Sequence, residues 1–212
     1  SCLFFNITLL MAQSPSFEWA KQIGASGYDG RPSIIVDNNG NVYSTGAFSG
    51  VVDFDPGVGI VNLTAAGGLD AFVQKLDASG NFIWAKQISG TGQEGGWSIK
   101  LDNNGDLNIL GHFSGNVDFD PDSGIFNMTS SGLYDVFLAK LDSNGNFIWA
   151  KQVGGSSLDY GRCLSIGDGG SVYVTGMFQN TVDFDPGVGV MNLTSAGFYD
   201  VFVQKLDANG NL

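Results

Sequence analysis

Several residue types are scarce in this chain of 212 residues, and each scarcity excludes a class of protein. Two cysteines and one histidine provide neither a disulfide framework nor the spacing of a zinc site. Nine Lys and Arg stand against 21 Asp and Glu, and the net charge of −12 argues against binding nucleic acid or anionic lipid through a basic surface. Leu3–Met11 is mostly apolar, but this run is too short to span a bilayer.

The N-terminal segment has the pattern of a secretory signal peptide without its initiator Met and basic region. The apolar run is followed by Ala12, Gln13 and polar residues. We therefore interpret residues 1–13 as a signal peptide remnant, cleaved near this point, with a buried N-terminal strand as the alternative. A signal peptide predicts a secreted or cell-surface protein, and its removal would take Cys2 with it.

Glycine is abundant, at 32 residues, and the chain repeats itself. The tetrapeptide WAKQ begins at Trp19, Trp84 and Trp149, so the period is 65 residues, and the residues between stay in register without a gap. Such a period indicates a tandem array. We expect the three tryptophans to pack between neighbouring units. Cys163 replaces a serine of the first two units, and we expect it to be a small buried residue.

The pattern inside each unit predicts β-strands. Residues 33–48 contain two short apolar stretches around DNNGN, and residues 70–88 contain two more around DASGN. In each tip Asp opens a type I turn, and Gly takes the left-handed position that closes the hairpin with a bulge. Each unit therefore supplies four antiparallel strands, and no segment shows a helical period.

A four-stranded antiparallel unit in tandem predicts an all-β protein, specifically a β-propeller fragment of about three blades. Three blades are fewer than the four to eight of a usual ring, so we expect further blades of the same chain downstream. The predicted organisation is a signal peptide remnant (1–13), the outer strand of a blade completed elsewhere (14–24), blade 1 (25–89), blade 2 (90–154) and an incomplete blade 3 (155–212).

The repeat resembles a known family. DAFVQKLDASGNFIWAKQISG followed by SIKLDNNGDLNILGHFSG is similar to the bacterial SBBP-type β-propeller repeat, and the resemblance covers about residues 14–212. It implies a secreted or surface protein of bacterial origin and provides no established catalytic residues. The long connection VDFDPG…NLT departs from that family's pattern and makes the blade larger.

The motif VDFDP stands once in every unit and places two carboxylates on one side of an extended segment. An active site needs one asymmetric constellation, whereas a motif repeated three times serves a task that all blades share. We therefore predict a structural turn, in which the first aspartate accepts hydrogen bonds from backbone amides of its own connection. Calcium binding is the first alternative and catalysis the second. The candidate calcium ligands are Asp53, Asp55, Asp118, Asp120, Asp183 and Asp185.

Ligand contacts are predicted where the units differ, because a repeat protein places its binding residues on an invariant frame. Trp97 takes the position that Pro32 and Arg162 hold in the other units, and Tyr28 and Tyr160 lie in the same variable loops. An aromatic side chain there could stack on a sugar or hold a peptide. Tyr28, Trp97, Tyr160 and Arg162 are therefore the candidate ligand-binding residues.

Together these patterns predict a secreted, non-catalytic β-propeller that acts as a scaffold or binding module for an extracellular protein or glycan. No cofactor is expected, apart from calcium in the alternative above. One alternative function is a propeller enzyme acting on extracellular polysaccharide, which would need a cluster of His, Arg and Glu in one blade. Another is a calcium-stabilised adhesin. His112, the single histidine, is expected to be a packed or solvated strand residue.

Overall fold

The computed structural model describes residues 17–212, so the expected signal peptide lies outside the described residues. These residues form seventeen β-strands and one short 3₁₀ helix at Asp168–Gly170, and none of them forms a helix long and apolar enough to cross a membrane. The strands are β1 (Asp29–Val36), β2 (Val42–Phe48), β3 (Val51–Asp53), β4 (Asn62–Thr64), β5 (Asp70–Leu76), β6 (Phe82–Gly90), β7 (Glu94–Leu101), β8 (Leu107–Phe113), β9 (Asn116–Asp118), β10 (Asn127–Thr129), β11 (Asp135–Leu141), β12 (Phe147–Gly155), β13 (Tyr160–Ile166), β14 (Val172–Phe178), β15 (Thr181–Asp183), β16 (Asn192–Thr194) and β17 (Asp200–Leu206).

The long strands form one antiparallel sheet per unit. The first sheet has the order β1-β2-β5-β6 and the second the order β7-β8-β11-β12. The third has the order β13-β14-β17, three strands within the described residues. The register recurs from unit to unit, since Val42 pairs with Leu76 and Leu107 pairs with Leu141. The prediction of an all-β propeller built from antiparallel sheets is confirmed.

The unit boundaries themselves stay predictions. The outer strands β6 and β12 end at Gly90 and Gly155. Residues 17–24 form no strand, although an outer strand was predicted at 14–24. Trp19 nevertheless lies against Gly80 of the first unit, where a Cβ would be 3.0 Å from its ring, and its Nε1 donates to the Ala78 carbonyl at 3.0 Å.

The hairpin tips have the predicted geometry. In the DASGN tip the carboxylate of Asp77 accepts from the amides of Ser79 and Asn81, both at 2.8 Å. The hydrogen bonds from Asn81 hold the pKa of Asp77 below its ordinary value. Gly80 has φ of 75°, in the left-handed region that a Cβ disfavours. The tip sequence therefore determines the turn through one carboxylate and one glycine.

Each VDFDP connection forms a small hairpin, and those of the second and third units also join the sheet of the preceding unit, whereas β3 and β4 form a two-stranded sheet by themselves within residues 17–212. β9 pairs with β10, and Val117 of β9 pairs in addition with Gly90 at the end of β6. β15 and β16 repeat this arrangement, with Val182 paired to Gly155 at the end of β12. A Cβ at either glycine would collide with the hairpin backbone, so glycine permits the close approach. The sequence predicted extended pieces here but not their pairing across the unit boundary.

The repeated tryptophans pack between units, as predicted. Trp84 of the first unit lies against the hairpin tip of the second, where a Cβ at Gly145 would be 3.2 Å from its ring. Trp149 lies in the same way against Gly210 of the third unit. Both rings keep part of their surface exposed. The glycine of each tip therefore has two roles: it permits the turn, and it leaves room for the tryptophan of the preceding unit.

One face of the third sheet is uncovered within the described residues. Val136 of β11 is buried under the third unit and only 3% exposed, whereas the equivalent Val201 of β17 is 73% exposed. Cys163 is exposed, although the sequence predicted a buried residue. The reason is the register of the strands. Cys163 pairs with Thr175, and Thr175 pairs with Val203, and paired residues lie on the same face of a sheet. Cys163 therefore lies on the uncovered face.

Candidate functional site

The first strand of each unit carries an irregularity at an equivalent position. The pairing of β1, β7 and β13 with their second strands shifts register there. The residues left out of the regular pairing are Arg31 with Pro32, Trp97, and Arg162. A bulge of this kind turns its side chain away from the regular alternation of a strand. Because β7 packs against both β1 and β13, the three bulges come close together.

Two guanidinium groups lie over one indole ring. Cζ of Arg31 is 4.9 Å from the centroid of the Trp97 ring, and Cζ of Arg162 is 4.4 Å from it. Three different units contribute these side chains, and all three are partly exposed. Cation–π attraction to the electron-rich ring face stabilises this arrangement. The group is therefore both held in place and open to solvent.

His112 is the buried member of this group and is only 4% exposed. Its Nδ1 lies 2.7 Å from Nε1 of Trp97, and its Nε2 lies 3.2 Å from Nη1 of Arg31. Burial, followed by the positive charges of Arg31 and Arg162, lowers the pKa of His112 to about 3. The imidazole is therefore neutral at neutral pH.

Tyrosine rings from the second and third units surround His112. The rings of Tyr134 and Tyr160 each lie 5.0 Å from the imidazole, edge to face. Burial raises the pKa of Tyr160, and the neighbouring phenols of Tyr199 and Tyr134 raise it further. Cζ of Arg162 lies 5.1 Å from the centroid of the Tyr160 ring. We name this group the arginine–aromatic cluster; its members are Arg31, Trp97, His112, Tyr134, Tyr160 and Arg162.

The structure brings three of the four candidate ligand-binding residues into this cluster, namely Trp97, Tyr160 and Arg162. Tyr28 lies at its edge, 47% exposed, where Cζ of Arg31 is 5.9 Å from the ring centroid. Sequence reasoning missed Arg31 and considered His112 only in isolation. One signal could have found Arg31, because it and Arg162 are the only arginines of the chain. The role of these residues in ligand binding stays a prediction.

The first aspartate of each VDFDP motif makes the same two hydrogen bonds in every unit. Oδ1 of Asp118 accepts from the amides of Asp120 at 3.0 Å and Phe126 at 2.8 Å. Asp53 and Asp183 accept from the equivalent amides at the same distances. The predicted backbone partners are confirmed. The repeated carboxylate therefore acts as a turn acceptor in each small hairpin.

The second aspartate of the motif has a similar local role. Oδ1 of Asp55 accepts from the Gly57 amide at 2.7 Å, and Asp120 and Asp185 accept from the residues equivalent to Gly57. Across residues 17–212, no three side chains of His, Cys, Asp or Glu come close enough to share a metal ion. Calcium binding by these aspartates stays a prediction, and it would need backbone or water ligands as well.

A buried carboxylate at the boundary between the first two units has no hydrogen-bond partner among residues 17–212. Glu94 is 1% exposed, and neither of its oxygens has a donor within hydrogen-bond geometry in the described residues. The equivalent Asp159 accepts from the amides of Gly155 at 2.7 Å and Gln179 at 3.1 Å. Burial, followed by the nearby Asp70, raises the pKa of Glu94 to about 8. Glu94 is therefore mostly protonated at neutral pH.

Comparison with known proteins supports the architecture. Residues 18–47 match the family described as the SBBP β-propeller repeat. The chain is also 24% identical over 177 residues, 84% of its length, to the regulatory protein FlaEY of Caulobacter vibrioides. It is 24% identical over 113 residues, 47% of its length, to an uncharacterized WD repeat-containing protein of Acanthamoeba polyphaga mimivirus. The chain spans only 18% and 8% of the lengths of these two proteins.

Proposed function

We propose that the protein is a non-catalytic β-propeller scaffold, secreted or at the surface of a bacterium, which binds a partner protein through the arginine–aromatic cluster. A repeat match to a β-propeller family supports the scaffold role. The names of the two relatives, a regulatory protein and a WD repeat-containing protein, favour a protein partner. The secreted location rests on the pattern of the N-terminal segment and on the resemblance to the bacterial SBBP-type repeat.

The observation that carries this proposal is the convergence of three variable residues on a repeated frame. Pro32, Trp97 and Arg162 occupy one repeat position, yet the frame around them recurs every 65 residues. The bulges bring Trp97 and Arg162 together with Arg31. Tryptophan, tyrosine and arginine are the residues that most often dominate the binding energy of protein interfaces. A partly exposed group of this composition suits a protein contact.

The polysaccharide-enzyme alternative has less support from the same residues. His112 and two arginines do come together, but Trp97 and Arg31 present only N–H groups to the imidazole. With its pKa lowered to about 3, His112 is a weak base at neutral pH. No hydrogen bond from His112 to a carboxylate is found among residues 17–212, so nothing there orients it as the base of a triad.

The proposal is tested by selecting partners from a random peptide display library with the full chain. We expect selected peptides to bind the chain and to bind the Trp97→Ala variant at least tenfold more weakly. Tyr173→Ala is the matched control, because Tyr173 is a 40% exposed aromatic residue of a strand outside the cluster. Circular dichroism melts verify that each variant folds. Peptides whose binding is unaffected by Trp97→Ala, or no selected peptides at all, would contradict the proposal.

A further inference from the structure

Among residues 17–212, neither arginine of this acidic chain has a carboxylate partner. The chain has 21 acidic residues, yet the salt bridges of residues 17–212 are formed by Lys86 and Lys140 and not by Arg31 or Arg162. Residues 1–16 contain no Asp or Glu that could supply one. Guanidinium groups stay charged at every physiological pH. The cluster is thus a local concentration of unneutralised positive charge in a chain of net charge −12.

His112 shows that the cluster has more hydrogen-bond donors than acceptors. Trp97 Nε1 and Arg31 Nη1 can only donate, and each faces one nitrogen of the ring. A neutral imidazole accepts at only one nitrogen. The shorter contact, 2.7 Å from Trp97, makes Nδ1 the acceptor and leaves the hydrogen on Nε2, which faces the N–H of Arg31 at 3.2 Å. An acceptor bound to Arg31 would draw the guanidinium away from this unfavourable contact.

The geometry suits a planar anion better than a sugar ring. A guanidinium group binds a carboxylate through two parallel hydrogen bonds. A sugar would need a free aromatic face, but the Trp97 ring already carries the guanidinium groups of Arg31 and Arg162. Their contact with the ring also restricts the two side chains before a ligand binds, so less conformational entropy is lost on binding.

We propose that Arg31 and Arg162, held over Trp97, bind a carboxylate of an acidic peptide segment in the partner protein. This inference names the ligand class of the site described under the proposed function and rests on it. The net charge of −12 repels every acidic ligand at long range, so binding depends on direct contact with the two arginines.

The two arginines make a direct chemical test possible. Phenylglyoxal modifies accessible arginines, and because the chain has only two, the mass added to their proteolytic peptides reports on this site alone. The probes are hexaglutamate, hexaglutamine and a hexamer of galacturonic acid, each added to the full chain before the reagent. We expect hexaglutamate to slow modification at least fivefold and hexaglutamine to leave it unchanged. Equal protection by hexaglutamine, or none by hexaglutamate, would overturn the inference, and protection by the galacturonate hexamer alone would identify an acidic glycan instead.

Variants provide a second measurement, with affinity for hexaglutamate as the readout. Arg162→Gln and Arg31→Gln should each weaken binding at least tenfold, and Arg162→Lys should restore little of it because the fork geometry is lost. Lys151→Gln is the matched control, since it removes one positive charge from the outer strand β12. If Lys151→Gln weakens hexaglutamate binding equally, the effect is due to net charge alone, and the inference is contradicted. If the displayed peptides need Trp97 but contain no acidic residues, the carboxylate inference fails while the proposed function stands.

Discussion

Replacing Glu94 by Gln should remove a pH dependence of stability that the wild-type chain shows between pH 6.5 and 8. The carboxyl is protonated in the folded state up to about pH 8 but ionises near its ordinary value of 4.5 when the chain unfolds. Between these values the folded state binds one more proton than the unfolded state. The free energy of unfolding therefore falls as the pH rises, by about 1.4 kcal/mol per pH unit.

His112 limits the window in which this effect is isolated. Its pKa is about 3 in the folded state and 6.5 ordinarily, so the unfolded state binds the extra proton between these values. His112 therefore makes the free energy of unfolding rise with pH up to 6.5, opposite in sign to Glu94. Above pH 6.5 the unfolded-state protonation of His112 falls away, so its remaining contribution amounts to only about 0.4 kcal/mol. From pH 6.5 to 8 the contribution of Glu94 alone should lower the stability by up to about 2 kcal/mol.

The assay is urea unfolding followed by tryptophan fluorescence at half-unit steps from pH 6.5 to 8. The wild-type midpoint should fall across this range, and that of Glu94→Gln should not fall, because the amide does not titrate and His112 adds only a slight rise. Glu94→Asp is an informative second variant, since the shorter Asp159 at the equivalent position reaches backbone amides. Its midpoint should also vary less with pH than that of the wild type. A wild-type midpoint independent of pH, or a Glu94→Gln midpoint that falls as steeply, would refute this reasoning.

Three further predictions concern a buried valine of β11, the VDFDP turn and a hairpin tip. Val136→Ala should lower the free energy of unfolding by about 2 kcal/mol, because this side chain is buried. Val201→Ala should lower it by less than about 0.5 kcal/mol, because this side chain is exposed. Equal losses in chemical unfolding would mean that the third sheet is covered in solution. Asp118→Ala should lower the free energy of unfolding by about 1 kcal/mol, equally in the presence of calcium and of a chelator. If calcium instead raises the melting temperature of the wild type and this variant abolishes that rise, a metal site is supported. Gly145→Ala should lower the free energy of unfolding by about 1–2 kcal/mol, because φ is 83° at this position and a Cβ would lie 3.0 Å from Lys86. A melting temperature equal to that of the wild type would contradict this.

The fold could be predicted from sequence because its determinants are local and repeated. The DASGN tip contains the whole cause of its turn, an Asp that binds the following amides and a Gly that takes positive φ. The same holds for Asp118, whose hydrogen-bond partners lie two and eight residues away along the chain. A period of 65 residues then extends each local conclusion to three units.

The site was predictable only in part, because its contacts depend on how the units stack. Trp97 was recognised because it differs from its repeat equivalents, but Arg31 lies one residue before the aligned position, and a bulge brings it to the ring. His112 lies 81 residues from its partner Arg31, so no local pattern links them. The exposure of Cys163 has the same origin, since it depends on which sheet face a neighbouring unit covers.

The small hairpins that pair with the preceding sheet have a consequence for how the array unfolds. In many repeat proteins neighbouring units are coupled chiefly through side-chain packing, and stability is close to a sum of unit and interface contributions. Here a backbone ladder crosses each boundary, at Gly90 with Val117 and at Gly155 with Val182. Opening one unit therefore also breaks main-chain hydrogen bonds of its predecessor. The unit of cooperativity should accordingly be larger than the 65-residue repeat, and amide hydrogens of β6 should exchange together with those of β9.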